Sequence, residues 1–146
     1  MSLMHKNLYS NHSYEEVDIQ EYLEEIAQNL QTYTEYNIHT DIDPIIIDMR
    51  IAMNIGLIFN EAVTNAIEHA FDGEEGNIDI SFKLSGGRYR LSIQDDGKGF
   101  DASKTYKSLG VTLIKDLSVT LPNSTIDIDG SKGTKIQIYF DKEEHV

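Results

Sequence analysis

Cysteine is absent from this 146-residue chain, which excludes disulfides, thiolate zinc sites and a cysteine nucleophile. That fits a cytoplasmic protein. Basic residues are scarce: 12 Lys and Arg against 25 Asp and Glu leave a formal net charge of −13. Such a balance excludes nucleic acid as the main partner, because neutralising a phosphate backbone needs clustered Lys and Arg. It leaves room for a single nucleotide, which needs only a local cradle and a Mg²⁺ ion. No apolar run approaches the roughly 18–20 residues that span a bilayer, and the N-terminus lacks a signal-peptide core. This chain is therefore read as having no membrane segment, any membrane attachment of a longer protein lying outside it.

What is present is a globular composition, 40% hydrophobic and 25% charged, in a chain long enough for one domain with a real core. The opening Met-Ser-Leu-Met reads as a cloning remnant, with Met4 or His5 the first natural residue. Residues 5–12 resemble the frayed end of a helix whose beginning is missing. Helical spacing of Val17 or Ile19, Tyr22 and Leu23, Ile26, Leu30 and Tyr33 predicts a helix over 17–35. Asp18 with Glu21 suggests its cap. Residues 37–43 alternate as a short strand, and 45–47 read as a second strand or as core filling. A long apolar helix is expected over 49–71, stopped at Asp72-Gly73.

The period then switches to two. Ile78, Ile80, Phe82 and Leu84 face one way, a Ser85-Gly86-Gly87 turn follows, and Tyr89, Leu91 and Ile93 continue on the next strand. Residues 101–108 form a polar loop and 109–121 a third helix. Strands at 125–129 and 134–140 flank a turn at 130–133. Three helices and about five strands, most of them after the long helix, predict an α+β fold. The expected form is a two-layer sandwich, a mixed sheet with three helices on one face.

Four places could carry chemistry. In residues 58–70, Glu61, Asn65 and His69 recur every four residues on an otherwise apolar helix, with Glu68 beside them. Buried polar groups need partners. Asn65 offers an amide oxygen to a hard cation such as Mg²⁺ and Glu61 a base or water-orienting group; a merely wet helix face is the alternative. Asp95-Asp96-Gly97-Lys98-Gly99 follows a strand: the glycines permit close ligand approach, and a carboxylate there can accept from an exocyclic amine. A plain turn explains the same residues. Ser108-Leu109-Gly110 opens a helix whose N–H groups and dipole suit phosphate, with Lys104 and Lys107 nearby; an ordinary cap at Ser108 would look alike. Gly133-Thr134 opens the last strand, its hydroxyl suited to a base or simply to a strand.

Taken in order, these signals resemble the ATP-binding domain of the GHKL superfamily (gyrase, the heat-shock chaperone ATPases, sensor histidine kinases and MutL), the Bergerat fold, over about residues 17–140. The N-box matches as Glu61-x-x-x-Asn65 and the first glycine box as Asp95-x-Gly97-x-Gly99. The second matches as Leu109-Gly110-Val111 and the last as Gly133-Thr134. Within the superfamily the chain is similar to sensor histidine kinases with a short lid.

The resemblance implies ATP and Mg²⁺ as ligands. Asn65 would coordinate Mg²⁺, Asp95 would accept from the adenine amine, and Thr134 would help to hold adenine. Gly97, Gly99 and Gly110, with Leu109 and Val111, would let nucleotide and lid pack. Glu68 stands where many relatives carry Lys, so the basic contact is either lost or supplied by Lys104 or Lys107; His69 replaces a frequent aromatic and could touch phosphate or ribose. The single glycine of the second box implies a shorter lid.

Residues 1–16 would be the remnant of an upstream hairpin and linker, and 17–146 the catalytic domain. His5 would be a late hairpin histidine, the phosphoacceptor lying further upstream. The expected activity is transfer of the γ-phosphoryl from Mg-ATP to that histidine, with a response regulator downstream and a homodimeric full-length protein. Alternatives are an anti-sigma-factor-type GHKL serine kinase, in which Thr64 to Ala70 would also look at home, and a degenerate nucleotide-binding interaction module.

Overall fold

The computed structural model describes residues 15–70, 75–97 and 109–142. Chain order is β1 (Glu16–Asp18), α1 (Ile19–Gln31), β2 (Asn37–Ile42), β3 (Ile46–Asp48) and α2 (Met49–Asn65), which runs on into a π-helical turn (Ala66–Ala70). Then come β4 (Asn77–Ser85), β5 (Arg88–Asp95), α3 (Leu109–Ser118), β6 (Thr125–Asp129) and β7 (Lys135–Asp141). Five strands make one sheet in the order β2-β4-β5-β7-β6. It is mixed: β2 runs parallel to β4, and every other pairing is antiparallel. With its three helices this is the expected α+β architecture.

Strand alternation builds the core. Ile78, Ile80 and Phe82 of β4, Leu91 and Ile93 of β5, and Ile136, Ile138 and Phe140 of β7 join Leu23, Ile55, Ile58, Phe59 and Ile114 of the helices in one buried cluster. Phe82 stacks on Tyr89 at 5.2 Å between ring centroids, and Tyr89 meets Phe140 at 5.1 Å. The β4–β5 hairpin turns through Gly86 and Gly87, whose φ values of 60° and 81° suit a two-residue turn that follows the strand twist. Its register pairs Ser85 with Arg88 at the turn and Ile78 with Asp95 at the open end. The register thus delivers Asp95 to one end of the sheet.

Three expected elements have different ends. Val17 is not helical: β1 pairs antiparallel with β3, Val17 opposite Ile47, and α1 starts at Ile19. Asp18 caps it by accepting from Gln20 N–H at 3.0 Å and Glu21 N–H at 3.4 Å. The helix ends at Gln31 because that side chain holds the following turn. Its Nε2 donates to the carbonyls of Thr34 and Tyr36, and its Oε1 accepts from Ile38 N–H. Tyr33, expected on the apolar face, consequently lies beyond the helix and is 81% exposed. The long helix is α-helical only to Asn65, and Phe71 lies outside the described residues. The third helix ends at Ser118, whose hydroxyl donates to Lys115 O, and Leu121 is buried from the turn that follows.

The β1–β3 ribbon is continued at both ends, Ile19 N–H donating to Ile45 O and Met49 N–H to Glu15 O. Asp48, buried at its end, caps α2 by accepting from Arg50 N–H at 2.8 Å, and Arg50 Nη2 lies 2.9 Å from its Oδ2. No helix among the described residues is long and apolar enough to cross a membrane.

Candidate functional site

Asp95 is the last residue of β5, and alternation turns its side chain inward behind Leu91 and Ile93. Only 5% of it is exposed. Its Oδ1 accepts from Gly97 N–H at 2.9 Å and from Thr134 N–H at 3.1 Å, while its own N–H donates to Thr134 O at 2.9 Å. Among the described residues, both bonds to the carboxylate fall on Oδ1 and none on Oδ2. Burial pushes the Asp95 carboxyl above the ordinary carboxylate range; the bonds from Gly97 and Thr134 offset part of that, and the neighbouring Asp96 charge adds to it. Asp96 is shifted the other way, held below the usual range by the side chain and then the backbone N–H of Asn77.

Gly133 is the residue that makes this contact possible. Its φ is +75°, and a Cβ there would lie 2.1 Å from the Asp95 carbonyl oxygen. The β6–β7 turn therefore presses bare backbone against the end of β5, which brings Thr134 within reach of the carboxylate. Thr134 makes this contact with Asp95 through its backbone N–H and carbonyl.

Glu61 and Asn65 lie one turn apart on α2, both half-buried, among buried Ile58, Phe59, Ala62 and Val63. α2 packs against β5 and against α3, and Asn54 Nδ2 of α2 donates to Thr120 Oγ1 at 2.9 Å. Past Asn65 the helix runs on as a π-helical turn, Ala66–Ala70, which carries Glu68 and His69. Glu68 and His69 are exposed, with His69 Nε2 3.7 Å from Glu68 Oε1. Single π-helical turns inside helices recur at functional sites.

Of the remaining candidates, Gly97 donates its backbone N–H to Asp95 Oδ1. Gly99, Lys104, Lys107 and Ser108 lie outside the described residues, as does the expected short lid. Leu109, Gly110 and Val111 open α3, where a helix start was expected. No cluster of three or more His, Cys, Asp or Glu among the described residues could hold a metal ion. The donor set offered on α2 is an amide and one carboxylate. That fits Mg²⁺, which keeps several waters and shares substrate phosphates, better than an ion needing a full protein cage. Sequence reasoning missed Asn77, whose bonds to Asp96 join residues 19 apart; no local pattern announces such a contact.

The family profile described as histidine kinase-like ATPase domain matches residues 18–140, and a second, described as histidine kinase, matches residues 1–34. Blue-light-activated histidine kinase 2 of Erythrobacter litoralis is 28% identical over 106 residues, 69% of this chain and 31% of that protein. Serine-protein kinase RsbW of Staphylococcus epidermidis is 40% identical over 53 residues, 35% of this chain and 33% of that protein. The chain thus spans about a third of the length of these relatives. Among solved structures, the histidine kinase domain of the Erythrobacter litoralis EL346 blue-light activated histidine kinase superposes with a TM-score of 0.79 at 24% identity. That match covers 86% of this chain and 62% of the other.

Proposed function

The chain belongs to the histidine kinase-like ATPase domain family, and from that membership we propose that it binds Mg-ATP and passes the γ-phosphoryl to a histidine on an upstream helical hairpin. The observation that carries the reading is Asp95, a buried carboxylate whose bonds among the described residues fall on one oxygen; the other would accept from the adenine amino group. A neutral imidazole is already nucleophilic, so the chain's task is to position the nucleotide and shield its charge rather than to activate the acceptor. Mg²⁺, when bound, neutralises phosphate charge. Asn65 is the residue to hold it, with Glu61 orienting water or phosphate nearby. His69, Lys107 and the start of α3 face the same task at the phosphates. In the whole protein, two copies would pair through the hairpin, and the phosphoryl group would pass on to a response regulator.

Asn65→Ala is expected to weaken ADP binding about tenfold in the presence of Mg²⁺, the order of one lost charge-assisted contact. Binding in the presence of a chelator should change little. Titration calorimetry under both conditions checks this, and equal losses would remove Asn65 from metal binding.

Acid should also weaken binding early. The raised pKa of Asp95 means that it takes up a proton at a pH above roughly 4, the ordinary value, and a protonated oxygen accepts poorly from an amine. Nucleotide affinity should therefore fall on acidification before ordinary carboxylates titrate. For stability the signs oppose. Asp95 holds its proton more tightly in the folded state, so its burial cost is fully present only above its folded pKa. The Asp96 contribution is present above its unfolded pKa and is lost as pH falls through its lowered folded value.

The similarity to RsbW supports a second reading, phosphorylation of a serine on a protein partner. Supplying the chain with [γ-³²P]ATP and either a separate histidine-bearing hairpin or a serine-bearing antagonist separates the two. Acid-labile label on the hairpin supports the histidine reading, and acid-stable label on the antagonist supports the other.

A further inference from the structure

Resting on the nucleotide reading above, we infer that Asp96 and Asn77 form a clasp, backed by His39, that positions Asp95 and sets the preference for a 6-amino over a 6-oxo purine. Asp96 spends both carboxylate oxygens on one residue. Oδ1 accepts from Asn77 N–H and Oδ2 from Asn77 Nδ2, each at 2.8 Å. The Asp96 N–H donates back to Asn77 O at 3.1 Å. Asn77 Oδ1 in turn lies 3.2 Å from His39 Nε2 on the edge strand. A line of hydrogen bonds thus runs across β2, β4 and β5 and ends on the residue next to Asp95.

This line closes the sheet beyond its last ladder pair, Ile78 with Asp95. On the opposite side Asp95 is tied to Thr134, so both neighbouring strands grip it. Asp96 cannot read the base itself, because successive strand residues point to opposite faces, and it is exposed where Asp95 is buried. It acts through the backbone they share. An exposed clasp adds little to folding stability. Its effect falls on direction: hydrogen bonds weaken steeply as they bend. A 6-amino group donates to Asp95, whereas a 6-oxo group offers only lone pairs, so loosening the Asp95–Gly97 turn removes an advantage that only the amino purine enjoys.

The test titrates the 146-residue chain with ADP and with IDP, its 6-oxo counterpart. Asp96→Ala and Asn77→Ala should each cut the ADP-over-IDP preference about tenfold, the scale of one well-aimed bond to a charged group, through weaker ADP binding with IDP nearly unchanged. Asp96→Asn keeps an acceptor for the Asn77 N–H and removes the charge. Combined with Asn77→Asp it re-forms the side-chain bond in the reverse sense and should restore most of the preference. Single variants with wild-type preference, or with both nucleotides weakened equally, overturn the clasp as a positioning device. A wild-type chain that binds neither nucleotide, or both alike, instead overturns the adenine reading on which it rests.

Discussion

Asp95→Ala should lower ADP affinity about a hundredfold, the scale expected when a buried charged acceptor is removed and its partners are stranded. The loss has two sources. The adenine amino group loses its acceptor, and the N–H groups of Gly97 and Thr134, which both donate to Oδ1, lose theirs. Asp95→Asn separates them. An asparagine keeps an oxygen for the two backbone donors but offers the base an amide, so it should hold the turn while losing selectivity for adenine. Calorimetric titration with ADP measures the first effect, and competition between ADP and IDP the second. Full ADP affinity in Asp95→Ala would mean that the nucleotide, if bound, lies elsewhere.

Gly133→Ala should destabilise the chain by about 2–4 kcal/mol. A left-handed φ alone costs a non-glycine residue roughly 1–2 kcal/mol. Here the methyl would also sit 2.1 Å from the Asp95 carbonyl oxygen, and backbone cannot swing away as a side-chain end can. Relief requires separating the β6–β7 turn from the end of β5, which breaks the Thr134 bonds to Asp95. Nucleotide affinity should therefore fall together with the urea midpoint. Gly86→Ala supplies the comparison: its φ is also positive, +60°, but a Cβ there meets nothing within 4 Å. It should lose only the roughly 1 kcal/mol of the conformational preference. Equal losses at the two positions would show that crowding at Asp95 is not the decisive term.

These two residues also show what the sequence can and cannot disclose. Alternation placed Ile78, Ile80 and Phe82 against Leu91 and Ile93, and it placed Asp95 at the end of a strand. The polar stripe on the long helix and the start of a helix at Leu109 were legible for the same reason, because period and punctuation are local. Long-range pairing was not. Nothing around Val17 signals a strand, since its partner lies 30 residues on at Ile47. The Gln31 bonds that end α1 require the later positions of Tyr36 and Ile38. The π-helical turn after Asn65 is equally silent, as Ala66 to Ala70 read as ordinary helix. In the site, the Asp95 motif was visible from its glycines. The reason for Gly133 was hidden until the fold set two backbones against each other.

The β1–β3 ribbon has a mechanical consequence. The chain enters the described body at Glu15, where its carbonyl takes the Met49 N–H, and Glu16 pairs with Asp48. A pull on the preceding segment is loaded onto this end of the ribbon first, and the other end, where Asp18 meets Ile46, is reached only after the pairs unzip in turn. The first part to feel the strain is thus the N-terminus of α2, not the helix that follows β1 directly. Since α2 carries Glu61 and Asn65 along its length, the ribbon ties the entry of the chain to the root of the helix that bears them.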